Sequence, residues 1–191
     1  MTLTLFSASL ATTWWKVKTV ARRSVHYEAA FESYLQGKGW PYMVVDEAKR
    51  SVFAGMDIKS FDFVVYSDSK ANLLVDVKGR KFHNNSNGNS KSGRKWENWV
   101  LQEDVESMLE WERIFGVDFV AVFVFAYWLQ CPPQQAPFKE IHFFKNRFYA
   151  FTAISVAEYA DWIRPRSQRW KTVSIPTAAF TRFSRNIAEF L

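Results

Sequence analysis

The first helical pattern in the chain begins at Ser24. Tyr27, Phe31, Tyr34 and Leu35 fall at i, i+4, i+7 and i+8, one apolar stripe that predicts a helix from Ser24 to Gly37, stopped by Gly37 and Gly39. The period then shortens. Pro41–Glu47 predicts a short strand, Phe61–Tyr66 a second and Leu73–Lys78 a third, the last two joined as a hairpin by the polar turn Ser67–Asn72. Asn98–Phe115 returns to helical spacing, with Leu101, Val105, Met108, Leu109 and Phe115 on its apolar side and Gly116 closing it. Asp118–Leu129 is almost wholly apolar and predicts a strand buried on both faces.

The remaining segments predict an α+β tail. After the turn CPPQQAP, Ile141–Phe144 and Phe148–Ile154 flank Lys145-Asn146-Arg147 as a hairpin. Ser155 with Glu158 forms a capping box for a helix to Ile163, and Ala178–Leu191 predicts a C-terminal helix. The expected organisation is an N-terminal extension over 1–19 and one α/β domain over 20–191, with its core at 24–129 and an α+β extension at 130–191.

Composition narrows the classes. A hydrophobic fraction of 48% and an aromatic fraction of 18% supply a real core. One cysteine, Cys131, excludes a disulfide within the chain and a thiolate zinc cluster, and His26, His83 and His142 have no ligand spacing. No Lys or Arg precedes Lys16, so the apolar start MTLTLFSASLATTWW lacks the positive region of a secretory signal. No apolar run reaches membrane-spanning length, and the expected location is cytoplasmic, without a membrane.

A net charge of +6 and a pI near 9.4 favour polyanionic partners. Distribution says more than the sum. Arg80, Lys81, Lys91, Arg94 and Lys95 lie in a stretch with no acid, as do Arg164, Arg166, Arg169 and Lys171. Between the members of the first set, His83–Gly93 (HNNSNGNSKSG) is of low complexity and predicts a surface loop. The bland reading of both stretches is two solvated loops. Trp96 or Trp99 could stack on bases, but core packing is the expected use of both.

Two strand words carry the candidate chemistry: FDFVVY and LLVDVKG. Alternation puts Leu74, Asp76 and Lys78 on one face of an otherwise apolar strand. Burying either charge alone costs several kcal/mol, roughly, unless a partner compensates it. Asp62 sits between Phe61 and Phe63, and pairing across the turn brings it near Asp76. Two close carboxylates repel unless a cation joins them, and hard oxygen ligands select Mg²⁺ or Mn²⁺. The alternative is a surface hairpin whose acids face water.

The order of elements and acids resembles the PD-(D/E)xK nuclease superfamily, of restriction-endonuclease-like fold, whose core is αβββαβ with a mixed central sheet. The segment HYEAAFESYLQGKGW is similar to the first helix of archaeal Holliday-junction resolvases. The resemblance covers about Ser24 to Phe125. It matches Glu28 to the helix acid, Asp62 to the acid opening the second strand, Asp76 and Lys78 to the (D/E)xK pair, and Gln102 to a glutamine of the following helix. Phe61 stands where the family has proline. Glu103 and Asp104 follow Gln102 and leave open which of the three faces the site. Glu47 and Asp57 are competing acids, and Glu28 has the alternative of an exposed charge like Glu32.

The resemblance implies Mg²⁺- or Mn²⁺-dependent hydrolysis of DNA phosphodiesters by an endonuclease, on branched or damaged DNA. Glu28, Asp62, Asp76 and the Val77 carbonyl would hold metal. Lys78 would position or deprotonate water or stabilise the transition state, and Gln102 would orient Lys78 or the water. Arg80, Lys81, Lys91, Arg94 and Lys95 would contact phosphate, and a homodimer is the assembly it suggests. The other class is a catalytically inactive nucleic-acid- or protein-binding module on the same fold.

Overall fold

The computed structural model describes residues 26–45, 51–53, 56–84 and 96–191, with backbone alone at 51–53, 56 and 57. The N-terminal extension, Glu47, Lys91, Arg94, Lys95, the Asp57 side chain and most of the predicted 83–93 loop lie outside this description.

The first stripe forms α1 (His26–Lys38), which buries Ala30, Phe31, Tyr34 and Leu35. Gly39 takes φ 70°, a left-handed conformation that lets the chain leave the helix without a Cβ clash. The chain continues through β1 (Tyr42–Val44), a separate hairpin β2–β3 (Ser51–Phe53, Met56–Ile58), β4 (Phe63–Val65) and β5 (Asn72–Phe82). Then come β6 (Val100–Leu101), α2 (Gln102–Phe115) and β7 (Phe119–Leu129). The tail adds β8 (His142–Phe144), β9 (Arg147–Ser155), α3 (Val156–Ala160), β10 (Arg164–Ser167), β11 (Thr172–Ser174) and α4 (Thr177–Phe183).

The main sheet is mixed and six-stranded, in the order β1-β4-β5-β7-β9-β8. β4 and β5 form the expected antiparallel hairpin, Phe63 opposite Val75. β5 and β7 run parallel over their whole lengths, from Asn72 beside Phe119 to Phe82 beside Leu129, which carries β5 past the predicted end at Lys78. Lys145 and Asn146 both take positive φ in the β8–β9 turn, the requirement of a two-residue type I′ hairpin.

The faces follow strand alternation. Leu73, Val75 and Val77 pack with α1 in one cluster; Leu74 and Phe82 pack with Val105 and Met108 of α2 in the other. Helices thus cover both faces of β5, and Asp76 and Arg80 on it are enclosed. No helix among the described residues is long and apolar enough to cross a membrane.

Three predicted elements differ. The helix expected from Asn98 starts at Gln102, because Val100 and Leu101 pair with β11 and the Asn98 amide is tied to both backbone groups of Ile175 (3.0 and 3.2 Å). The helix opened by Ser155 ends at Ala160, although its cap forms, Ser155 Oγ accepting from the Glu158 N–H at 3.2 Å. The helix expected over Ala178–Leu191 is only α4, with a 3-10 turn at Ile187–Glu189. Between them Arg185 pairs with Ala153 through two backbone hydrogen bonds (2.8 and 2.9 Å), filling the edge of β9 that the short β8 leaves uncovered.

Candidate active site

β5 is an interior strand, and in its middle polar side chains are held away from water. Asp76 is 8% exposed, and Lys78 lies two residues on, on the same face. Lys78 Nζ lies 2.7 Å from Asp76 Oδ2 and 2.6 Å from Asp104 Oδ2. Asp104, 3% exposed, stands in the first turn of α2, and its Oδ2 also accepts the Leu101 N–H at 3.2 Å. The helix N-terminus favours an acid there. Lys59 closes the cluster with an ion pair to Asp104, while its own N–H donates to Ser107 Oγ (3.2 Å) and its carbonyl accepts from Trp111 Nε1 (2.8 Å).

Asp62 reaches the same point from β4's start. Its Oδ2 accepts the Val77 N–H at 2.6 Å, its N–H donates to the Val75 carbonyl at 2.9 Å, and its carbonyl accepts the Val45 N–H at 2.9 Å. A side chain, not a strand carbonyl, therefore satisfies Val77. The Asp62 carboxylate rests on the peptide joining Asp76 to Val77, and Asp62 is itself 8% exposed.

The charges divide unevenly. Burial pushes the Asp76 carboxyl above the usual aspartate range, with Lys78 opposing the rise and Asp104 adding to it. Burial also works to raise Asp104, but Lys78 and Lys59 outweigh it and hold Asp104 below the usual value. Burial alone would discharge Lys78; Asp76 and Asp104 outweigh it and carry its pKa well above the ordinary lysine value. Lys78 is therefore a held cation in this arrangement, not a base. Asp104 fixes it, and Asp76 carries the strained negative charge.

The other expected residues fall less centrally. Gln102 is exposed and donates to Glu106 Oε1 at 2.9 Å, while Asp104 is the α2 residue that meets Lys78. The cause is helical phase. Asp104 lies four residues before Met108 on the buried stripe, and Gln102 lies off it. That stripe was the available signal. Glu28 lies half-buried in the first turn of α1, the helix that packs on the opposite face of the sheet from Asp76 and Lys78.

Arg80, expected to face phosphate, is buried instead. Its Nη1 donates to the Gly79 carbonyl at 2.6 Å, its Nη2 to the Trp99 carbonyl, and its guanidinium lies 3.8 Å from the Trp99 ring centre. It continues the inward face of Asp76 and Lys78, which explains its burial. Lys81, on the alternate face, is exposed over Trp128.

Among the described residues no three His, Cys, Asp or Glu side chains cluster at metal-binding spacing. A divalent cation would rest on Asp62, Asp76, a backbone carbonyl and water. Mg²⁺ is commonly held in that way, by one or two carboxylates with several waters retained. The donors are all oxygen, and the raised Asp76 pKa marks a buried negative charge that a cation would relieve. In kind, the residues fit a hard cation.

No family model matches the chain, and no curated protein matches it in sequence. Among solved structures it is similar to Hjc of Archaeoglobus fulgidus, a Holliday junction resolvase from an archaeal hyperthermophile. The identity is 18% and the TM-score 0.49, over 85% of this chain and 95% of that one. Neither the site nor its chemistry is read from that likeness.

Proposed function

We propose that the chain is a divalent-metal-dependent nuclease that hydrolyses DNA phosphodiesters, on a restriction-endonuclease-like core with a C-terminal α+β extension. The observation that carries it is the meeting of Asp62 and Asp76 at one peptide, beside a lysine held cationic by Asp104. Set aside the β2–β3 hairpin and the short β6, and the elements through β7 run α1, β1, β4, β5, α2, β7, consistent with that core.

Asp62 and Asp76, with the Val77 carbonyl, would hold Mg²⁺ or Mn²⁺. When bound, the ion would acidify a water and neutralise phosphate charge. The rest is the work of the chain's own groups. Lys78 places a fixed positive charge where the phosphate gains charge as a water oxygen bonds to phosphorus and the P–O bond to the leaving oxygen breaks. Asp104 holds that ammonium in place through Oδ2, and Lys59 pairs with the other oxygen of the same carboxylate. Glu28 is assigned a role through water from the end of α1. Lys81, Lys91, Arg94 and Lys95 would contact phosphate, and the protein would work in the cytoplasm as a homodimer.

A second reading has its own observation. Asp76, Lys78 and Asp104 already form a closed ion-pair network, which a binding module without catalysis would also tolerate. One experiment separates the two. End-labelled DNA is incubated with Mg²⁺ or Mn²⁺, and Mn²⁺ binding is followed by electron paramagnetic resonance. The nuclease reading expects cleavage that EDTA abolishes and that Asp76→Asn and Lys78→Met abolish, with Mn²⁺ binding lost in Asp76→Asn and kept in Lys78→Met. A folded wild type that neither cuts DNA nor binds Mn²⁺ would leave the binding module.

A further inference from the structure

The tail places a row of cations beside this site. β10 and β11 form an antiparallel ribbon, with Arg164 opposite Ser174. β11 pairs in turn with β6, Thr172 opposite Leu101, and the Lys171 carbonyl accepts the Gln102 N–H at 2.9 Å. The Leu101 N–H donates to the same Asp104 oxygen that accepts Lys78 Nζ. Backbone hydrogen bonds thus fix the ribbon to the first turn of α2, the turn that grips the lysine.

Arg164, Arg166, Arg169 and Lys171 are all exposed, and none has an ion-pair partner among the described residues. Arg166 lies 5.2 Å from the Trp99 ring that also carries Arg80. At the ribbon's tip Trp170 is 65% exposed, beside the Arg169 guanidinium at 5.1 Å. Lys171 closes the turn at φ 45°, where glycine would be easier. Unpaired like charges on one ribbon repel until a polyanion neutralises them. A large exposed ring among them matches the second feature of a nucleic-acid strand, the flat face of an unpaired base.

Building on the nuclease reading, we infer that the β10–β11 ribbon grips the substrate: its cations take phosphates and Trp170 stacks on an unpaired base. The site then favours DNA with a single-stranded segment beside the duplex.

The test is equilibrium binding by the full chain in EDTA, so that no turnover occurs. The probes are a fluorescein-labelled blunt duplex and the same duplex with a single-stranded overhang, each over a range of salt. Arg164→Ala/Arg169→Ala, which spares the Arg166–Trp99 contact, should flatten log K against log salt by about 1.5 units, from roughly 0.7–0.9 per phosphate. Trp170→Ala should weaken the overhang probe by about ten-fold and leave the blunt duplex unchanged. The ribbon inference is overturned by an unchanged slope, by equal loss on both probes, by a wild type that binds neither, or by poly-L-glutamate competing as well as DNA. Parallel Mg²⁺ incubations keep the two readings apart. Binding with the expected slopes but no cleavage removes the nuclease and keeps the ribbon; cleavage with unchanged slopes removes the ribbon alone.

Discussion

Asp76 and Asp104 share one lysine yet should respond oppositely to neutralisation. In Asp104→Asn, Lys78 keeps only Asp76, Lys59 loses its ion pair, and the Leu101 N–H keeps a weaker acceptor. Removing one partner of a buried pair costs about 3–5 kcal/mol, and the exposure of Lys59 places the expected loss near the lower figure, about 3 kcal/mol. For a chain of this size that corresponds to a fall in Tm of roughly 6–12 °C.

The sign with pH follows from the depressed Asp104 pKa. The folded state holds this proton less tightly than the unfolded chain, so the contribution of Asp104 is present above the unfolded value and lost as pH falls through the folded one. The gap between wild type and Asp104→Asn should therefore close in acid. Asp76 runs the other way. Its pKa is raised, so its carboxyl favours the folded state at low pH and loses that advantage as pH rises from the unfolded value through the folded one. The stability of Asp76→Asn relative to wild type should therefore rise as pH goes from acid to neutral, because an amide has no charge to lose or gain there. Urea unfolding followed by tryptophan fluorescence in EDTA, from acid to neutral pH, reads both. Equal destabilisation by the two variants, with the same pH dependence, would refute this division of charge.

Other expectations are simpler. Gly79→Ala should cost about 1–3 kcal/mol, because a Cβ there would meet the Tyr27 ring; Tyr27→Ala should remove most of that penalty in a double-mutant cycle read by urea midpoint. Gln102→Ala should leave kcat and the urea midpoint within error, its side chain meeting only Glu106 on the surface, and a large loss of kcat would restore it to the site.

Strand alternation made much of the site legible. Asp76 and Lys78 share a face because i and i+2 always do, and the turn at Ser67–Asn72 set the register that brings Asp62 to Val77. The α1 stripe, the buried β7 and the β8–β9 hairpin were legible for the same local reasons. Non-local pairing was not. Val100 and Leu101 carry helical spacing yet join β11, some seventy residues on, and that pairing moves the start of α2 to Gln102. Which α2 side chain faces Lys78 was legible in the helix's own phase: Asp104, on the buried stripe with Met108, rather than Gln102. The same tertiary pairing turned an isolated basic stretch into a ribbon beside the site, and enclosure between sheet and helix buried Arg80, which charge alone would leave in water. Local periodicity settles which way a side chain points from its own strand or helix. Only packing settles what stands opposite it, because that depends on surfaces distant in sequence and on backbone groups that must find partners once water is gone.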